Sequence, residues 1–171
     1  MKKSAGDVSA EELLQMYSSM IYRVAYAAVQ NTADAEDITQ NVFLKYITAD
    51  KSFNSEEHRK AWLLRVTVNC VKDFVKSAYY RRRTDMEKLP ETADADETFK
   101  AEEAEEAEAL RSALQQLPEK YRVPIHLFYY EDMTVAEISA VTKTKEATVK
   151  SQLSRGREML RNILKEVRYE L

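Results

Sequence analysis

Apolar residues recur at helical spacing along most of this chain. Leu13, Tyr17, Ile21, Val24 and Ala28 keep a three-to-four-residue period behind Ser9 and Glu12, whose S-x-x-E spacing predicts a capping box at a helix start. Asn31 and Thr32 interrupt the pattern. Asp34, Glu36 and Asp37 then suit the positive end of a second helix with Ala35, Ile38, Val42 and Tyr46 as its buried row. Its other side mixes Asp37, Gln40 and Asn41 with Leu44, and Phe43 stands at the margin. That surface suits a protein partner, and Phe43 and Leu44 suit a core equally well. After a loop around Lys51, Ser52, Phe53 and Asn54, the pair Asn54 and Glu57 predicts a cap for a third helix. Leu63, Val66, Cys70 and Phe74 form its apolar row, whereas Trp62, Arg65, Asn69, Lys72 and Lys76 form a separate polar and aromatic stripe, continued by Tyr79, Tyr80, Arg81, Arg82 and Arg83.

The most informative pattern lies between Met133 and Arg161. Thr134 and Glu137 form another capping box before a short helix. Thr142, Lys143 and Thr144 break it, and Val149, Leu153, Gly156 and Leu160 then restart a helical row at four, three, four spacing. The opposite side carries Ser151, Ser154, Arg155 and Glu158, flanked by Thr148, Lys150 and Arg161. Two short helices joined by a turn, the second with an outward face of donors, predict a helix-turn-helix suited to the major groove of DNA. The bland alternative is an amphipathic pair facing water. Eight basic residues against three acids between Lys143 and Arg168 favour DNA. In the run before it, Pro124 lies in an otherwise helical stretch and predicts a late start or a kink near Arg122.

Charge divides the chain. Its 171 residues carry a formal net charge of -3, which does not suit a DNA binder until the charge is segmented. Asp85 to Glu108 holds eleven acids and two bases, net -9, and leaves the remainder at +6. That acidic stretch includes Pro90 and few large apolar residues, the composition of a connector between two basic bodies. Two glycines and three prolines in the whole chain argue for an all-helical fold. Cys70, the single cysteine, excludes an internal disulfide. With no secretory h-region in MKKSAGDVSA and no apolar run of membrane length, the expected location is cytoplasmic.

Enzymatic readings find little support. His58 and His126 stand alone, no metal-ligand spacing or glycine-rich phosphate loop occurs, and Cys70 falls on an apolar face. We therefore expect no catalytic residues, no metal, no cofactor and no small-molecule substrate. By contrast, the Trp62 stripe combines rings for stacking, cations for phosphates and an amide for base edges, which is what single-stranded nucleic acid requires. A solvated basic face is the alternative there.

Four ordered segments carry a family resemblance: DAEDITQNVFLKY from Asp34, AWLLRVTVN from Ala61, LPEKYRVPIHLFYYE from Leu117, and TVAEIS with TVKSQLSRGR from Thr134 to Arg157. Together they resemble the extracytoplasmic-function group of bacterial sigma factors in the sigma-70 family. The resemblance implies an all-α chain with a sigma-2-like helical bundle over residues 1–84, an acidic linker over 85–106 and a sigma-4-like helix-turn-helix domain over 107–171. It implies a factor that binds core RNA polymerase and directs initiation at promoters. Asp37, Gln40 and Phe43 match polymerase-contacting positions. Phe53, Trp62, Arg65, Asn69 and Lys72 match or neighbour those that hold the melted minus-10 element. Thr148, Lys150, Ser151, Ser154 and Arg155 fall in the helix that reads minus-35 duplex. Leu127, Phe128 and Tyr129 resemble the part of sigma-4 that packs within its domain and approaches the polymerase flap. An anti-sigma factor, often membrane-linked in the family, is a further implied partner. The acidic linker is either a mimic of nucleic acid in the polymerase RNA path or a soluble spacer. Departures from the family occur at Asn41, where an acid is usual, at Lys143, where a turn glycine is common, and at Gln152, where arginine is frequent.

Overall fold

A computed structural model describes the backbone of residues 8–82 and 101–169, and side chains over 8–78 and 105–166. The described residues form seven helices and no strand. These are α1 (Ala10–Val29), α2 (Thr32–Thr48), α3 (Glu56–Arg82), α4 (Ala101–Gln116), α5 (Glu119–Tyr129), α6 (Val135–Thr142) and α7 (Glu146–Tyr169). Helices α1, α2 and α3 pack on one another as an N-terminal body, and α4 to α7 as a C-terminal one. The two bodies also touch each other, α1 against α5 and α3 against α6.

Local chemistry sets the first two helices. Ser9 and Glu12 exchange both capping-box bonds, at 3.2 and 3.0 Å, and the row Leu13, Tyr17, Ile21, Val24, Ala28 is buried throughout. The Asn31 side chain accepts from the Asp34 amide at 2.9 Å, so the expected break doubles as the cap of α2. Ala35, Ile38 and Val42 are buried and Tyr46 half-buried.

Three expectations need correction. The cap of α3 is Ser55, whose hydroxyl accepts from the His58 amide at 3.1 Å and whose carbonyl accepts from the Arg59 amide. Asn54 stands one residue too early to cap a helix that starts at Glu56. Helix α5 begins at Glu119, directly after Pro118, and continues past Pro124; what Pro124 lacks is only the amide that would have reached the Lys120 carbonyl. Helix α4 begins at Ala101, so residues 101–106 of the expected connector are helical. The Ala and Glu of AEEAEEAEAL are strong helix formers, and Ala113, Leu114 and Leu117 behind them supply a face to bury.

Burial of α3 is also wider than its predicted apolar row. Leu63 and Cys70 face the interior, Val66 and Phe74 are half-buried, and Leu64, Thr67, Val68 and Val71 are buried as well. Leu64, Val68 and Val71 line clefts that the C-terminal body shares, so α3 lies between the two bodies.

Candidate promoter and polymerase interfaces

The loop between α2 and α3 is held by rings. Phe53 stacks on Tyr46 with centroids 5.7 Å apart, and meets Trp62 edge-on at 5.6 Å and His58 at 5.4 Å. Tyr46 and Trp62 complete the cluster at 5.9 Å. Behind Phe53 lies the Arg59 guanidinium, 5.4 Å from the ring centroid and only 1% exposed. Arg59 pairs with Glu56, whose other oxygen accepts from the Tyr17 hydroxyl at 2.6 Å. The chain Tyr17–Glu56–Arg59–Phe53 thus ties the loop to α1. Burial first, and then the bond to Glu56, push the Tyr17 phenol up to about 12. The bonds from Tyr17 and Arg59 hold the Glu56 carboxyl below its usual range.

On the outer side of this cluster, Lys51 lies 5.8 Å from the Trp62 ring centroid. Arg65, Lys72 and Lys76 are exposed, and Trp62 and Asn69 are half-buried along the same helix. The predicted residues Trp62, Arg65, Asn69 and Lys72 therefore fall on one stripe of α3, and Phe53 packs against its Trp62 end. Tyr79, Tyr80, Arg81, Arg82 and Arg83 lie outside the described side chains. Sequence reasoning missed Arg59 and the membership of Tyr46, which periodicity assigned to the core. No spacing rule connects a residue on α2 with a ring seven positions later in a loop.

The mixed surface of α2 divides differently from its sequence pattern. Asp37, Gln40 and Asn41 are exposed, together with Leu44 and Ile47, which keep 58% and 63% of their surface in solvent. Phe43 is 8% exposed and packs in the core, so the outward apolar contribution comes from Leu44 and Ile47.

In the C-terminal body, Thr134 and Glu137 form both bonds of the capping box, at 3.2 and 2.7 Å. Helix α6 ends at Lys143 in the left-handed region, φ 54° and ψ 42°. The Lys143 and Thr144 amides both donate to the Ser139 carbonyl, the latter at 3.2 Å, which closes the turn. In α7, Val149, Leu153 and Gly156 are buried, and Leu160 is half-buried. A side chain at Gly156 would meet Ile125 Cγ1 at 3.2 Å and Tyr121 Cβ at 3.4 Å, so the missing Cβ is what lets α7 lie close on α5. Thr148, Lys150, Ser151, Ser154 and Arg155 are all exposed on the opposite side. The neighbouring Arg155 and Lys120 cations lower the pKa of the Tyr121 hydroxyl. Of the α5 segment expected near the flap, Leu127 is buried, Phe128 half-buried and Tyr129 half exposed to solvent. The Cys70 thiol is buried, and burial pushes its pKa up, which disfavours the nucleophilic thiolate. No helix among the described residues is long and apolar enough to cross a membrane.

Comparison with known proteins agrees with this arrangement. Residues 13–83 match the family Sigma-70 region 2, and residues 107–160 match Sigma-70, region 4. The ECF RNA polymerase sigma factor SigE of Mycolicibacterium smegmatis is 32% identical over 94% of this chain, which spans 65% of that relative's length. SigW of Bacillus subtilis is 29% identical, with 98% of this chain and 94% of SigW covered. The fold matches that of the sigma factor RpoE in its complex with the anti-sigma factor NepR from Bartonella quintana. That match has a TM-score of 0.73 at 22% identity, covering 91% of this chain and 96% of that one. With region 2 over the α1–α3 body and region 4 over the helix-turn-helix body, the chain belongs to the sigma-70 family of RNA polymerase sigma factors, in its extracytoplasmic-function group.

Proposed function

We propose that this sigma factor divides promoter recognition between its two bodies, residues 1–84 binding core RNA polymerase and the melted minus-10 strand and residues 107–171 reading minus-35 duplex. Its activity is promoter-specific transcription initiation without catalysis of its own, carried out in the cytoplasm where its polymerase works. The observation that carries the reading is the pairing of two different nucleic-acid surfaces in one chain. Rings and cations around Phe53 and Trp62 suit an unstacked strand, and the exposed row on α7 suits a duplex groove.

The division follows from the physics of each target. Duplex bases show their edges in the major groove, where Lys150, Ser151, Ser154 and Arg155 on a rigid helix can meet them. A minus-10 base must first leave the stack, at a cost of about a few kcal/mol, before Phe53, Trp62 and Arg65 can hold it. Polymerase bears part of that cost by fixing both bodies on one scaffold, which turns two weak contacts into one bivalent contact. Asp37 and Gln40, with exposed Leu44 and Ile47 beside them, are the polymerase-facing residues of α2. An anti-sigma factor is a further partner, which would act by covering these same surfaces.

Purified bacterial core polymerase with DNA upstream of the protein's own gene tests the reading. Transcripts from one start that require the protein are expected. Arg155→Ala should reduce them roughly 10- to 100-fold, the worth of one good base contact, and leave polymerase binding unchanged. Equal output from templates with and without the minus-35 sequence would refute the α7 assignment.

A further inference from the structure

Among the described residues two arginines are buried, Arg122 on α5 at 9% exposed and Arg59 on α3 at 1%. Packing accounts for the first. The Arg122 guanidinium donates to the backbone carbonyls of Ala27 and Ala28 near the C-terminal end of α1, the latter at 2.7 Å, and to that of Leu117. That end of a helix is its negative pole, so the charge and the planar donors of Arg122 are both used there. Arg59 is different. An apolar side chain such as methionine would fill its place without the loss of hydration that a buried charge suffers. Its setting in the run EEHRK reads as one more cation for phosphate. At 1% exposure no phosphate reaches it, so any part it has in holding nucleic acid is exerted through a neighbour.

Its partners are the ring of the loop between α2 and α3 and the residues that anchor that loop. The guanidinium lies 5.4 Å from the Phe53 ring centroid and pairs with Glu56. Glu56 in turn accepts from the buried Tyr17 of α1 at 2.6 Å. Burial lowers the pKa of Arg59, but the bond to Glu56 and the neighbouring Tyr46 outweigh that and raise it, so the cation is permanent. The loop backbone offers little else to fix it. The Lys51 amide reaches the Ala49 carbonyl at 2.9 Å, and the Asn54 amide reaches the exposed His58 ring only at 3.4 Å, a long bond. Phe53 has no polar atom in its side chain, so its orientation is set by the surrounding rings and by the cation beside it. Glu56 is half exposed, and an ion pair of that kind contributes little to stability by itself. What the chain Tyr17–Glu56–Arg59 supplies is the placement of one ring.

We propose that Arg59 is a positioning residue for minus-10 recognition: held from α1 by Tyr17 and Glu56, it fixes the Phe53 ring so that the loop meets an unstacked base already in its binding shape. The proposal rests on the assignment of Phe53 and Trp62 to the melted strand, and adds that the order of this pocket is set by buried residues that do not themselves meet DNA. A loop ordered in advance loses less conformational freedom when the strand binds. A loop released from Arg59 has to be ordered while the promoter opens. The defect then falls on open-complex formation, and the closed complex, which depends on duplex and α7, is spared.

Holoenzyme assembled from core polymerase and the full chain tests this on DNA upstream of the protein's own gene. The initiation rate measured against holoenzyme concentration separates closed-complex affinity from the open-complex rate. Phe53→Ala is the reference and should slow the open-complex rate. Arg59→Met keeps the bulk and loses the charge; it should slow that rate roughly tenfold, the worth of one desolvated cation–ring contact, with closed-complex affinity unchanged. Arg59→Lys keeps the cation without the planar fork and should recover part of the rate. Tyr17→Phe removes only the hydroxyl that holds Glu56 and should slow the rate roughly threefold. In a Phe53→Ala background each of these substitutions should add nothing, because a residue that acts through Phe53 has no further effect once the ring is gone. Should Arg59→Met fail to fold, Tyr17→Phe decides, with and without Phe53. Normal open-complex rates in the folded variants, or effects that persist undiminished in the Phe53→Ala background, would overturn the positioning role. A normal rate in Phe53→Ala itself would overturn the minus-10 assignment of the loop and the proposal with it. A slow Phe53→Ala beside a normal Arg59→Met would leave that assignment standing and remove only the role of Arg59.

Discussion

Replacing Lys143 by glycine should stabilise the helix-turn-helix. Lys143 ends α6 with φ 54°, a conformation that crowds Cβ against the next carbonyl and costs an ordinary residue about 1–2 kcal/mol. Glycine removes that strain but brings a more mobile unfolded chain, which takes back about 0.4–1 kcal/mol. The lysine also complements the negative end of α6, and at this exposed position its loss costs about 0.3 kcal/mol. At the middle of each range strain relief exceeds the two losses by about 0.5 kcal/mol, worth a few degrees in melting temperature for a domain of this size. Lys143→Ala is the control, because it loses the charge and keeps the strain. Urea unfolding of the full chain should order the three proteins Gly, then Lys, then Ala, with Gly and Ala separated by about 1 kcal/mol. If Lys143→Gly is no more stable than Lys143→Ala, the left-handed turn is not the source of strain and the argument fails.

Gly156→Ala should cost about 1–3 kcal/mol, because the new methyl meets Ile125 and Tyr121 across α5 and α7; an unchanged urea midpoint would mean that Ile125 rotates away freely. Asp37→Ala combined with Gln40→Ala should lower affinity for core polymerase and leave binding to duplex DNA unaltered, as measured by fluorescence anisotropy with each partner separately. Acid should loosen the C-terminal body through Glu131. Its burial raises its pKa, but the bonds from His126 and Arg23 outweigh that and hold the carboxyl below its usual value. Its contribution is therefore complete above the unfolded carboxylate pKa and is lost as pH falls through the lower folded one. Glu131→Gln should be less stable at pH 7 and should lose less stability than the wild type between about pH 5 and pH 3.

Helices α1, α2, α6 and α7 were legible because each is written locally. Ser9 with Glu12, Asn31 and Thr134 with Glu137 mark starts, and a single buried row follows each of them. The outward residues of α7 were legible for the same reason, since 100° per residue separates them from Val149 and Leu153. Helix α3 was legible as a helix, but its second buried side was not, because partners distant in sequence cover it and a one-stripe pattern describes only the first. Phe43 could be read either way; only the packed core decides that it turns inward while Leu44 turns out. Arg122 gave no signal at all. A lone arginine in EKYRVPIHLF reads as a surface cation, and nothing in residues 27 and 28 announces an acceptor.

That last point bears on how the contact between the bodies can change over generations. The groups on α1 that receive the Arg122 guanidinium are the peptide carbonyls of two alanines, Ala27 and Ala28, and every amino acid has the same carbonyl. A population of variants would keep the donor under scrutiny at position 122 while tolerating exchange at 27 and 28 among residues small enough to fit. No charge swap on α1 could compensate for loss of the arginine, so a screen for second-site suppressors should find them at the salt bridge of Arg23 and Glu131 or nowhere on that helix. Pairwise co-variation would likewise pass over the grip of Arg122, since one of its two partners has no side-chain alphabet in which to record the other.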